Sequence, residues 1–126
     1  SGNSMTLAAG LATLRALTPD IYAHIDGLRQ RAHVGLQDAA ERAGIPFHIL
    51  SAGTMINAYP SSSPVRDHRS YLNIDSDMFE RILLGLTNKG NYMGRGHMSM
   101  VLSAPMQNSD VDNLVNAFEE VLNDPD

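Results

Sequence analysis

Apolar and polar positions along this chain fall into helical and strand-like periods. Ile21, Ile25, Leu28, Ala32, Leu36, Ala39 and Ala43 recur at spacings of three and four, with Arg29, Gln30, Gln37, Asp38, Glu41 and Arg42 between them. That period predicts one long helix with a single apolar face. Thr18-Pro19-Asp20 is its start: a capping hydroxyl, a proline where the missing N–H costs nothing, and an acid at the positive dipole end. Gly44 and Pro46 mark its end. Before it, Asn3 or Ser4 can cap an alanine-rich helix carrying Met5, Ala8, Ala9, Ala12 and Leu14 to Leu17. Its small residues permit close approach to another helix or chain.

The period then changes to two. Phe47 to Ser51 and Met55 to Tyr59 read as short strands, with Met55, Asn57 and Tyr59 on one side and Ile56 and Ala58 on the other. Ala52-Gly53-Thr54 is too short for a crossover, which predicts an antiparallel hairpin. The polar, proline-bearing stretch from Pro60 to Ser70 predicts a surface loop rather than a domain boundary. Asp75 or Ser76 caps a further helix with Met78, Phe79, Ile82, Leu83 and Leu86 as its stripe. Lys89 and Gly90 suit its C-terminus. Met98, Met100 and Leu102 alternate with polar and outward positions across a last strand that Pro105 ends. Ser109, with Asp112 three residues on, predicts the start of a final helix burying Val111, Leu114, Val115, Phe118, Val121 and Leu122. The order α-α-β-β-α-β-α, with long helices and few strands, predicts a two-layer α+β domain, its helices on one face of a small antiparallel sheet.

Composition narrows the function classes. The chain has 126 residues, enough for one domain with its own core. Its net charge of −5 argues against nucleic acid as the main partner. No apolar run approaches the roughly 20 residues of a membrane helix, and no basic, apolar leader pattern opens the chain. Cysteine is absent, so there is no disulfide, thiolate metal site or thiol nucleophile, which is compatible with the cytoplasm.

The candidate chemistry is sparse. His24, His33, His48, His68 and His97 show no metal-ligand spacing. Asp110, Asp112, Glu119 and Glu120 read as a solvated helix face rather than a catalytic pair. Ser61-Ser62-Ser63 lacks the strand-turn-helix setting of a nucleophile elbow. Lys89 is the only lysine, and a helix end is the wrong place for an amine that must be desolvated to react. The seven methionines read as gap-fillers. Arg95 lies between Gly94 and Gly96, where the backbone can approach a ligand and a guanidinium can grip a carboxylate. Spacing alone does not choose between that role and an exposed turn arginine. No complete catalytic set is present.

Several stretches carry a family resemblance. Ser1-Gly2-Asn3 with Met5-Thr6-Leu7-Ala8-Ala9-Gly10 resembles the segment after the Gly-Thr turn of the class III, pyridoxal-phosphate-dependent aminotransferases. Gly53-Thr54-Met55-Ile56-Asn57 and Asn91-Tyr92-Met93 resemble two of that family's strands. Ser103-Ala104-Pro105 through Asp110-Val111-Asp112 is similar to the entry into its last helix. The subgroup most resembled is that of glutamate-1-semialdehyde aminomutase and its relatives, which include aminotransferases of β-amino acids. Ser4 stands where the family usually has proline.

The resemblance implies that residues 1–126 are the small C-terminal domain of a fold-type I homodimer, with the helix at about 4–17 linking to a large domain upstream. It implies pyridoxal 5′-phosphate in the intact enzyme, carried by a lysine and an aspartate that lie earlier and have no counterpart here. This piece alone would then be inactive and would not hold the cofactor. Ser1, Gly2 and Asn3 would line the wall beside the phosphate. Arg95 matches a Pro-Arg-Gly turn that holds the substrate carboxylate in the β-amino-acid branch, which leans toward a transaminase over the mutase. The resemblance implies small amino and keto substrates, and no nucleic acid, membrane or metal partner. The rival expectation is a free-standing small-molecule-binding or regulatory module.

Overall fold

A computed structural model describes residues 2–93 and 99–124. Helix α1 spans Ser4–Ala16 and α2 spans Pro19–Ala43, joined only by Leu17 and Thr18. Strands β1 (Phe47–Ala52) and β2 (Met55–Pro60) follow, then a one-turn helix α3 (His68–Tyr71), helix α4 (Ser76–Asn88), strand β3 (Ser99–Val101) and helix α5 (Asn108–Asn123). The strands form an antiparallel sheet in the order β1-β2-β3. The architecture is the expected α+β domain: α2, α4 and α5 packed on a small up-and-down sheet.

The helical face read from the sequence is the buried one. Ile25, Leu28, Ala32, Leu36 and Ala39 are all buried on α2, and Val111, Leu114, Phe118, Val121 and Leu122 on α5. Phe79, Ile82 and Leu86 complete the core from α4. Helices α2 and α5 lie against each other, α4 bridges α5 and β2, and β1 packs on α2. Phe47 meets Phe118 edge-on at 5.2 Å between ring centroids. In the sheet, Ile49, Ile56, Ala58 and Met100 point into this core, while Leu50, Met55 and Val101 remain exposed on the opposite face.

Two close approaches explain two glycines. A β-carbon on Gly35 would lie 2.6 Å from a Val115 methyl, and one on Gly85 would lie 2.7 Å from both methyls of Val121. Glycine at these sites lets α2 and α4 each settle onto α5. At the hairpin, Ala52 pairs with Met55, so the turn is the two residues Gly53 and Thr54. Only Gly53 has positive φ there, as a type II′ turn requires.

The structure corrects two local expectations. The last helix starts one residue before Ser109, and its N-cap is Gln107, whose N–H donates to Asp110 at 2.7 Å. The acid that closes the turn is therefore Asp110, which frees Asp112 for another role. The expected surface loop 60–70 contains the start of α3, because Asp67 caps Ser70 N–H at 2.8 Å while Ser70 Oγ accepts the Asp67 N–H at 3.0 Å. Of the residues assigned to the last strand, Met98 lies outside the described residues.

Helix α1 stands apart. Asn3 caps it by accepting the Thr6 N–H at 2.8 Å. None of its residues is buried, and it contacts no other element among the described residues.

Candidate functional site

Of the residues singled out in the sequence, Ser1 and Arg95 lie outside the described residues. Gly2 and Asn3 are exposed at the free end of α1. Lys89 is the C-cap residue of α4, exposed and paired with Glu120 at 2.6 Å. The carboxylates of α5 are engaged rather than merely solvated. Asp112 receives both Nε and Nη2 of Arg31 at 2.6 and 2.9 Å, and Glu119 receives Arg42 in the same two-pronged way at 2.7 and 2.9 Å. These guanidinium bonds hold the carboxyls of Asp112 and Glu119 below the usual carboxylate range. The Ser61 hydroxyl donates to the Ser63 carbonyl and accepts the Ser63 N–H.

Two histidines, His24 and His33, make side-chain hydrogen bonds between elements. His24 Nε2 donates to the Met106 carbonyl at 2.9 Å, tying α2 to the approach of α5. His33 joins a chain that sequence spacing did not reveal. Asp26 accepts Nε and Nη2 of Arg29, Arg29 Nη1 donates to Ser51 Oγ at 2.8 Å, and Ser51 stands 3.1 Å from His33 Nδ1. With its oxygen accepting from Arg29, the Ser51 hydroxyl is free to donate to His33. The chain pins the hairpin end of β1 to the middle of α2. Its only sequence signal is the i, i+3 and i, i+4 spacing of Asp26, Arg29 and His33 along α2. Among the described residues no group of three or more His, Asp or Glu side chains can hold a metal ion.

One cavity of about 250 Å³ flanks the segment that carries Arg95 in the sequence. Its walls are Gly90–Met93 on one side and Ser99–Leu102 on the other, with Met106, Val111 and Leu114 behind. The lining is mostly apolar, and Asn91, Ser99 and Asp110 are its polar members. Ser99 Oγ donates to Asn57 Oδ1 at 2.5 Å. Such a space can receive the apolar part of a small molecule; of its described lining groups, the Ser99 hydroxyl is bonded to Asn57 and the Asp110 carboxylate accepts the Gln107 N–H.

Similarity to known proteins supplies what the side chains do not. No family model matches the chain. A glutamate-1-semialdehyde 2,1-aminomutase of Thermus thermophilus is 30% identical over 125 residues, 97% of this chain and 30% of that enzyme. The fold superposes on an omega-transaminase from Sphaerobacter thermophilus with a TM-score of 0.84 at 24% identity, over 98% of this chain and 28% of that one. It also superposes on a glutamate-1-semialdehyde aminomutase from Pseudomonas aeruginosa PAO1 in complex with PMP, with a TM-score of 0.86 at 21% identity, over 96% of this chain and 27% of that one. By sequence and fold the chain matches the C-terminal segment of a class III aminotransferase. It spans about 30% of the length of the curated relatives it matches.

The described residues of this segment do not by themselves fit a pyridoxal phosphate. A lysine that bonds the cofactor has to be desolvated, and Lys89 is exposed and paired with a carboxylate. Asn3 spends its side-chain oxygen on capping α1. Among the described residues neither Lys89 nor Asn3 is free to anchor the cofactor.

Proposed function

We propose that this chain is the C-terminal domain of a pyridoxal-phosphate-dependent aminotransferase. The intact enzyme moves an amino group between an amino acid or amine and a keto acid or aldehyde. The observation that carries the reading is end-to-end similarity: 97% of the chain aligns to an enzyme of this class at 30% identity. The cofactor supplies the amino-transfer chemistry when bound, and this domain supplies part of the wall around it.

In this reading α1 belongs physically to the upstream large domain. It carries two apolar faces, Leu7, Leu11 and Leu14 on one and Met5, Ala9 and Ala12 on the other, yet no other element among the described residues covers it. A helix of that kind is stable when enclosed. Ser1, Gly2 and Asn3, at its start, stand beside the cofactor phosphate. The enzyme is a cytoplasmic homodimer, and this segment alone is inactive.

Arg95 binds the substrate carboxylate, which favours a transaminase. The aminomutase reading is the alternative, and the name of the relative aligned above favours it. One assay separates the two. A transaminase needs a keto acid or aldehyde acceptor for turnover, whereas an aminomutase isomerises its single substrate without one. Purified intact protein that bound pyridoxal phosphate yet catalysed neither reaction would overturn both. In a transaminase, Arg95→Ala raises KM for carboxylate substrates about tenfold or more, the loss of a charge-assisted bidentate contact. An unchanged KM removes Arg95 from the site.

A further inference from the structure

The bend between α1 and α2 is made at a single residue. Leu17 has φ −77° and ψ 77°, and the Thr18 N–H donates to the Ala16 carbonyl at 2.9 Å. Those angles and that span define an inverse γ-turn centred on Leu17. The sequence imposes the break. Pro19 has no N–H with which to continue α1, and its ring keeps the residue before it out of the helical region. Thr18 accordingly lies at φ −83°, ψ 163°.

Little else fixes the angle between the two helices. The Leu17 N–H bonds back into α1, to the Thr13 carbonyl at 3.2 Å, and the Tyr22 N–H bonds to the Thr18 carbonyl at 3.2 Å. The Thr18 hydroxyl makes no cap bond. Among the described residues no hydrogen bond runs from α2 into α1, and α1 contacts no other element. Helix α2, by contrast, is packed on α5 and β1 through its buried face. The body from α2 to α5 therefore moves as one unit, and its angle to α1 rests on the Leu17 torsions and the Ala16–Thr18 bond.

Resting on the reading above that α1 belongs to an upstream large domain, we propose that Leu17 is the hinge on which the body turns against that domain. The Ala16–Thr18 bond holds the bent setting. Its release lets ψ of Leu17 rise toward the extended range, about 145°, and the body swings. Helix α1 is about 20 Å long at its usual rise, so 20° of rotation at Leu17 displaces its far end by about 7 Å relative to the body. The cavity walls formed by Gly90–Met93 and Ser99–Leu102 ride on the body. The hinge carries them toward and away from the large domain.

Pulsed electron paramagnetic resonance distances in the intact protein, with labelled protomers diluted into unlabelled ones, test the proposal. These 126 residues contain no cysteine, so labels enter by substitution in a cysteine-free background. One pair, Thr6→Cys with Asp38→Cys, spans the hinge. A control pair, Asp38→Cys with Asn88→Cys, lies within the body. The hinge predicts a spanning distribution about twice as wide as the control or more. Thr18→Pro removes the Ala16–Thr18 bond and drives Leu17 toward the extended range, which shifts the spanning distance by about 5 Å or more. Thr18→Ala keeps the bond and leaves the distance where it was. A spanning pair as narrow as the control overturns the proposal, even if the 126-residue chain alone gives a wide one, because α1 and the body are then fixed together in the enzyme. A wide pair that Thr18→Pro does not move, or that Thr18→Ala moves equally, also overturns it. An intact protein that transaminates with a narrow spanning pair sinks the hinge alone. One with a wide pair that responds to Thr18→Pro but binds no pyridoxal phosphate sinks the enzyme reading alone.

Discussion

Glycines on the helices separate two physical effects that sequence alone merges. Gly27 and Gly85 are both helical, and either would be called a defect on propensity. A β-carbon on Gly27 meets nothing within 4 Å, so Gly27→Ala raises stability by about 0.5–1 kcal/mol, the helix-propensity gain. At Gly85 the same change drives a carbon into both methyls of Val121, which no valine rotamer relieves. Overpacking of this kind costs about 1–3 kcal/mol, so Gly85→Ala is destabilising despite its better propensity. Urea unfolding of the two variants checks the opposite signs, and Val121→Ala in the Gly85→Ala background restores part of the loss. The sequence makes Gly90 and Pro19 legible because their effects are local, whereas Thr18 holds the cap position without the expected hydroxyl bond. It cannot distinguish Gly27 from Gly85, because the difference lies in a neighbour some 36 residues along the chain. Gln107 was equally hard to find. Ser109 is the better capping residue on propensity, and the Gln107–Asp110 contact wins because it sets where α5 can begin after Pro105.

At the scale of elements, α2 and α5 are joined by apolar packing and by two guanidinium–carboxylate pairs near opposite ends of their contact, Arg31–Asp112 and Arg42–Glu119. Both carboxyls titrate lower in the folded chain than in the unfolded one. Their contribution is therefore fully present above the unfolded values, about pH 4, and is lost as pH falls through the lower folded values. Stability should decline below about pH 4, and the double variant Asp112→Asn, Glu119→Gln should show a flatter decline in thermal unfolding between about pH 5 and pH 2. An unchanged slope would mean the pairs are ornaments of the surface. The hydrophobic term in the same contact is larger. Phe118 is fully buried against Phe47, and Phe118→Ala should cost about 3–5 kcal/mol in urea unfolding. The apolar period exposed each helix's inner face to a reader of the sequence. Which helix pairs with which, and the Asp26–Arg29–Ser51–His33 chain, depend on tertiary placement that no period encodes. Helix α1 is the opposite case: its apolar character was legible, and its isolation was not. Removing residues 2–16 should leave the Tm of the remaining chain unchanged, since no other element among the described residues touches α1.

Taken whole, the molecule is a folded body with a core of its own and one helix, α1, that no other element among the described residues covers. Its order of elements, the one-turn α3 apart, was legible from alternating periods, and its family from short stretches that recur in order along the chain. The candidate site was legible only in part. The cavity beside residues 90–93 and 99–102 is built by β3 and α5 meeting the end of α4, a junction that takes shape only in three dimensions. Of the residues expected to touch ligand, Ser1 and Arg95 lie outside the described residues, and Asn3 is occupied as a helix cap. In the proposed function the reactive amine comes from outside this segment. Borohydride reduction of the intact protein with pyridoxal phosphate, followed by mapping of the labelled peptide, tests that directly. The account predicts one pyridoxyl-lysine upstream of residue 1 and an unlabelled Lys89; label on Lys89 would contradict it.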